Sequence, residues 1–249
     1  MKKFLLEICV DSFESARRAS QAGADRLELC GDLLVGGVSP SPFLIEQVVQ
    51  RVKTPANVLL RPRFGDFCYT DEEKEILLRE IDFCARSGVN GVVIGALTPQ
   101  GELDVPFLAR CMAAAADLEV TLHRCFDVCA DGFAAIETAC DLGIQTILTS
   151  GQRATAPEGV ENLKKYRAFA ADRIHLMAGA GVSAANIPML HSRAGINHFH
   201  LSAKKSEPGP MLFRREGVPM GLPMASEFDR QYADPTAVRA AKKALDSLK

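Results

Sequence analysis

The sequence has no tryptophan and only three tyrosines among 249 residues, so aromatic platforms for stacking single-stranded bases are scarce. Nor is there an excess of positive charge. Lys and Arg number 29 against 31 Asp and Glu, a net charge of -2, which leaves little to neutralise a phosphate backbone. No apolar run approaches the roughly 20 residues of a membrane-spanning helix. The opening Met1-Lys2-Lys3-Phe4 resembles a signal peptide only until Glu7 and Asp11 interrupt it, before an apolar stretch can develop. Neither nucleic acid nor membrane is therefore expected as a partner, and the expected location is the cytoplasm. The eight cysteines would then sit in a reducing compartment, and no Cys-x-x-Cys is present. A disulfide framework is not expected; buried thiols, a soft-metal site or a nucleophile remain. No Gly-x-Gly-x-x-Gly follows the first apolar run, which argues against a dinucleotide-binding open sheet.

What is present is a regular alternation. Short apolar runs at 4–9, 26–30, 57–61, 91–95, 120–123, 146–149, 174–178 and 198–202 read as strands. Amphipathic stretches at 12–22, 41–51, 71–87, 105–115, 132–141, 157–170, 183–191 and 235–247 read as helices. Ser12 and Thr70 suit N-caps, and Pro42, Pro106, Pro157 and Pro235 suit first turns. A weak repeat places Gly23, Gly88, Gly143 and Gly195 before strands two, four, six and eight, where a left-handed cap turns the chain back to the sheet. Eight such units predict an α/β fold, one (β/α)8 TIM-type barrel spanning residues 1–249, with a doubly wound open sheet as the alternative. A Pro- and Gly-rich segment at 203–234 lacks periodicity and, leaving strand eight, is expected to be a lid over the mouth or an interface segment.

Strand parity sorts the residues by face. Leu6, Ile8, Leu27, Leu29, Val58, Leu60, Val120, Leu122, Phe199 and Leu201 fall outward, toward the helices. Glu7, Cys9, Arg26, Glu28, Cys30, Arg61, Arg63, Thr121, His123, Cys125, His198, His200 and Ser202 fall inward. Buried charge must pair or face a wet pocket. Glu7, Glu28, Arg61, His123 and His200, with Asp127 orienting His123 or Arg124, thus form a candidate catalytic pocket; a salt-bridge network of Arg26, Arg61 and the two glutamates is the plainer alternative. Loops at Ser150-Gly151 and Gly179–Gly181 could offer backbone N–H groups to an anion, within reach of Arg61 or His200. Cys84, Cys111 and Cys140 lie on apolar helix faces and read as core. Cys9, Cys30, Cys68, Cys125 and Cys129 fall at strand ends or top-face loops, where thiolates near His123 and His200 would suit Cu(I) or zinc. Of these, Cys30 and Cys68 are the candidate metal ligands.

Several motifs occur in order: Leu6-Glu7-Ile8-Cys9, Gly23-Ala24-Asp25-Arg26-Leu27-Glu28-Leu29-Cys30, Gly36-Gly37-Val38-Ser39-Pro40-Ser41, Arg61-Pro62-Arg63, Gly65-Asp66-Phe67-Cys68-Tyr69, His123-Arg124-Cys125-Phe126-Asp127, Leu148-Thr149-Ser150-Gly151 and Met177-Ala178-Gly179-Ala180-Gly181. Together they make the chain resemble the CutC family from Leu5 to about Tyr232. The resemblance implies a (β/α)8 barrel, a homodimer or larger homo-oligomer, and a cytoplasmic role in copper homeostasis; it carries no assigned reaction. Cys125 stands where relatives often have a small residue such as Ala, so it is a poor basis for a metal site. Two functions follow as expectations. One is weak copper binding through soft ligands at the barrel mouth. The other is an enzyme acting there on a small anionic or phosphorylated substrate.

Overall fold

In the computed structural model, which describes residues 3–222 and 225–248, eight parallel strands close into a barrel. They are β1 (Leu5–Val10), β2 (Arg26–Leu29), β3 (Ala56–Leu59), β4 (Gly91–Ile94), β5 (Glu119–Leu122), β6 (Thr146–Thr149), β7 (His175–Ala178) and β8 (His198–Leu201). Neighbours in sequence are neighbours in the sheet, and β8 returns to β1 with Glu7 opposite His200. Around it lie α1 (Phe13–Gln21), α2 (Pro42–Arg51), α3 (Asp71–Ser87), α4 (Val105–Ala115), α5 (Gly132–Asp141), α6 (Val160–Ala170), α7 (Ile187–Ala194) and α8 (Pro235–Asp246). This is the (β/α)8 barrel that the alternation predicts.

Local signals explain the helix ends. The Ser12 hydroxyl accepts from the Ser15 N–H, and Thr70 and Glu73 form a reciprocal capping box at α3. Gly88 and Gly195 close α3 and α7 in the left-handed region, and Gly23 and Gly143 also have positive φ. Two helices start later than the sequence suggests. The stretch at 157–170 becomes helical only from Val160, so Pro157 precedes α6. The stretch at 183–191 becomes α7, Ile187–Ala194. There the Asn186 side chain accepts from the Ser183 N–H and donates to the Gly181 carbonyl, closing a turn first, and Pro188 enters the first helical turn.

The parity of the strands holds. Leu6, Ile8, Leu27, Leu29, Val58 and Phe199 are fully buried in the main apolar core between sheet and helices. Inside the barrel, Leu5, Leu148 and Met177 make one small apolar cluster, and Cys9, Cys30, Leu59 and Val93 another. Polar residues fill the space between them. Two inward assignments are corrected. Cys125 belongs to a 3-10 turn at Arg124–Val128 and packs in the outer core. Arg63 lies past the end of β3 and turns to Asp66 and Glu73.

The segment at 203–234 holds more regular structure than its sequence pattern suggests. Its ends pair as an antiparallel ribbon, β9 (Lys204–Pro208) with β10 (Asp229–Ala233). The ribbon docks on α1, where Arg18 pairs with Glu207 at 2.9 Å and lies over the Tyr232 ring, and Ser15 accepts from the Ala233 N–H. Both strands are largely polar and exposed, so no hydrophobic alternation marked them in the sequence.

Candidate functional site

Register brings the inward charges together. Glu7 lies opposite Arg26 on β2 and His200 on β8, while Cys9 lies opposite Glu28. Arg26 Nε donates to Glu7 Oε2 at 2.5 Å, and Nη1 donates to Glu119 Oε2 at 3.0 Å. The second Glu7 oxygen lies 2.8 Å from His200 Nδ1. His200 Nε2 then faces Glu28 Oε2 at 3.8 Å, and Cys30 Sγ donates to that same oxygen at 3.3 Å. A polar column therefore runs from Glu119 to Glu28 and Cys30.

Electrostatics follows from this order. Burial alone would raise the pKa of Glu7, but the Arg26 guanidinium and His200 outweigh it and hold the carboxyl at about 2. Burial, reinforced by the neighbouring Glu7 charge, pushes Glu28 up. His200 is raised well above its ordinary value: burial opposes its charge, but Cys9, Glu28 and Glu7 surround it and win. Burial and Glu28 push the Cys30 thiol up.

Above the column opens a cavity of about 860 Å³ at the C-terminal ends of the strands. Cys9, Glu28 and His200 line one part of it; Arg61, Phe67, His123, Arg124 and Asp127 line another. The Ala180–Ala185 loop and Lys204 complete the rim. One donor atom each from Cys9, Glu28 and His200 lies within 4.8 Å of the others, and all three residues are buried. A thiol, an imidazole and a carboxylate at such spacing can hold a borderline or soft metal ion. The Glu7 carboxylate behind His200 Nδ1 is the kind of outer partner that orients a ligating histidine and leaves Nε2 for the metal.

Of the candidate pocket residues, Glu28, Arg61, His123, Asp127 and His200 line the cavity, whereas Glu7 is wholly buried behind His200. Arg61 does not join the glutamates; it donates to the Gly37 and Gly65 carbonyls. Cys30 is fully buried beside Glu28, and half-buried Cys68 packs against the outer core, apart from the Cys9–Glu28–His200 cluster. Cys9, one of the five mouth thiols, supplies the sulfur of this cluster in place of Cys30 and Cys68. Its register with Glu28 was the missed signal, because register depends on pairing between strands.

The loop after β6 does receive an anion, and the anion is Asp127. Its carboxylate accepts from the Ser150 and Gln152 N–H groups, the Thr149 hydroxyl and Arg124 Nε. The Gly151 N–H goes to Thr149 Oγ1. The donors expected to meet a ligand at Ser150 and Gly151 are thus spent within the chain. Gly181 lines the cavity, while a Cβ on Gly179 would press on the Leu148 side chain at 2.6 Å. Asp127 pairs with Arg124 and leaves His123 to the Cys125 N–H.

The CutC family model matches residues 4–205. A family protein CutC of Bacteroides fragilis is 41% identical over 100% of this chain and 98% of its own length. A human copper homeostasis protein cutC homolog is 40% identical over 95% of this chain and 87% of its own length. The crystal structure of a putative copper homeostasis protein CutC from Streptococcus agalactiae superposes with a TM-score of 0.76 at 29% identity, covering 80% of this chain and 98% of that one. Matched over residues 4–205 by the family model and over its whole length by a relative at 41% identity, the chain belongs to the CutC family.

Proposed function

We propose that this protein serves copper homeostasis by binding copper weakly at the barrel mouth, with Cys9, Glu28 and His200 as ligands. The convergence of those three donor atoms within 4.8 Å carries the reading, and the names of the human and mouse relatives agree with it. A thiolate and an imidazole favour Cu(I) over hard cations. The metal must displace the proton that the surrounding acids hold on His200, which keeps the affinity modest. Cys30, beside Glu28, is a further sulfur close to the cluster.

Titrating the reduced protein with Cu(I) against a competing chelator tests this. Expected is one binding equivalent, weakened about tenfold or more in Cys9→Ser and in His200→Ala, and unchanged in Cys68→Ser. Wild-type affinity in both of the first two variants sinks the site.

A second reading is supported by the cavity itself, which is far larger than one ion needs and is lined by Arg61 and His123 as well. It is a barrel enzyme acting on a small anionic or phosphorylated substrate. No helix among the described residues is long and apolar enough to cross a membrane, and a cytoplasmic location is part of the proposal. So is a homo-oligomer. Met211, Leu212, Phe213 and Met220 are exposed between the ribbon strands, and a second copy of the chain would cover them. Replacing Leu212 and Phe213 by serine is expected to lower the mass measured by light scattering to that of one chain. An unchanged mass moves the interface elsewhere.

A further inference from the structure

Two side chains that line the cavity, His123 and Arg61, carry hydrogen-bond donors that lack acceptors. His123 is 4% exposed, and its Nδ1 accepts from the Cys125 N–H at 3.1 Å. The ring proton of the neutral imidazole must therefore sit on Nε2, and that buried atom has no partner. Burial and the nearby Arg61 charge hold the His123 pKa at about 3, so the ring is neutral near pH 7. Arg61 Nε is likewise buried without a partner, although its other nitrogens reach the Gly37 and Gly65 carbonyls. Both side chains pack on Phe67, with the ring 4.9 Å from the His123 ring and from the Arg61 guanidinium carbon.

Charge points the same way. Among the described residues Arg61 forms no ion pair, whereas the cavity's carboxylates are matched, Asp127 with Arg124 and Glu28 with His200. Lys204 adds a further cation at the rim. A half-buried guanidinium with no counter-charge and an imidazole N–H with no acceptor, both packed on the Phe67 ring, are a costly pair to leave unsatisfied. An oxyanion supplies both missing partners, with charge-assisted hydrogen bonds. A second cation at Arg61 and His123 would do neither.

We propose that Arg61 and His123 form a binding site for a small organic anion, whose carboxylate or phosphate oxygen accepts from both side chains while its body fills the cavity. The site is independent of copper; it names the substrate class that the enzyme reading requires. His123 is a neutral donor in this site, not a base.

The test uses the full chain in chelator-treated buffer, with malonate and inorganic phosphate as separate probes. Calorimetry reads affinity, and histidine side-chain nitrogen NMR reads His123. Expected is saturable binding of at least one probe, with a shift of the His123 Nε2 resonance. Malonate alone assigns a carboxylate site and phosphate alone a phosphate site. Arg61→Gln is expected to weaken binding about tenfold to a hundredfold. Arg193→Gln removes the same charge from an exposed pair with Glu161 and should leave affinity unchanged. If Arg61→Gln does not fold, the wild-type titration and His123 spectrum decide. Absence of saturable binding, or binding that leaves His123 unmoved, overturns the site. Because no copper is present, that failure is separate from failure of the copper reading.

Discussion

Replacing Arg26 by methionine is expected to destabilise the barrel by about 3–5 kcal/mol near neutral pH, because it strands the Glu7 carboxylate inside without its main counter-charge. Glu7 is 0% exposed, and Arg26 is 3% exposed, so solvent cannot screen the loss. The pH dependence identifies the source. In the wild type the Glu7 pKa lies at about 2, below its ordinary 4.5, so the pair's contribution is complete above pH 4.5 and is lost as pH falls toward 2. That displacement corresponds to about 3 kcal/mol. In Arg26→Met only His200 still opposes burial, so the Glu7 pKa moves upward and acid neutralises the carboxyl more readily. The stability gap between variant and wild type, measured by urea unfolding, should therefore narrow on acidification to about pH 3. A gap that does not change with pH would place the damage in packing, through the lost stem of Arg26.

The Asp127→Ala variant is expected to lose about 3–5 kcal/mol, since one side chain that is 6% exposed satisfies the Ser150 and Gln152 N–H groups, the Thr149 hydroxyl and Arg124. The released donors cannot all find water in a buried turn. Amide exchange at Ser150 and Gln152 should rise along with the drop in stability. Asp127→Asn, which keeps a carbonyl oxygen in place but loses the charge, should fall between the two. A loss below about 1 kcal/mol in Asp127→Ala would mean that the loop after β6 holds its shape by backbone alone.

These two networks mark the boundary between what was legible and what was not. The barrel followed from alternation of strand and helix patterns, and the inward face followed from the twofold period of a strand. Glu7, Cys9, Glu28 and His200 all point inward by that rule, and they do so in the structure. The same rule fails past a strand end: Arg63 and Cys125 were extrapolated along strands that had already ended at Leu59 and Leu122. The ribbon at Lys204–Pro208 and Asp229–Ala233 left no apolar pattern to read.

By itself the sequence determined the closed eight-stranded fold, the polar interior and the set of groups available at the mouth. Those properties depend on local periodicity, capping and turn chemistry, which neighbouring residues settle among themselves. Tertiary structure alone decided who meets whom. Arg26 rather than Arg61 neutralises Glu7, Cys9 rather than Cys68 joins Glu28 and His200, and Asp127 takes the donors of the β6 loop. Period gives a residue's face, whereas its partner depends on the relative height of adjacent strands and on closure of β8 against β1. Those are relations between residues as far apart as Glu7 and His200, and only the closed barrel sets them.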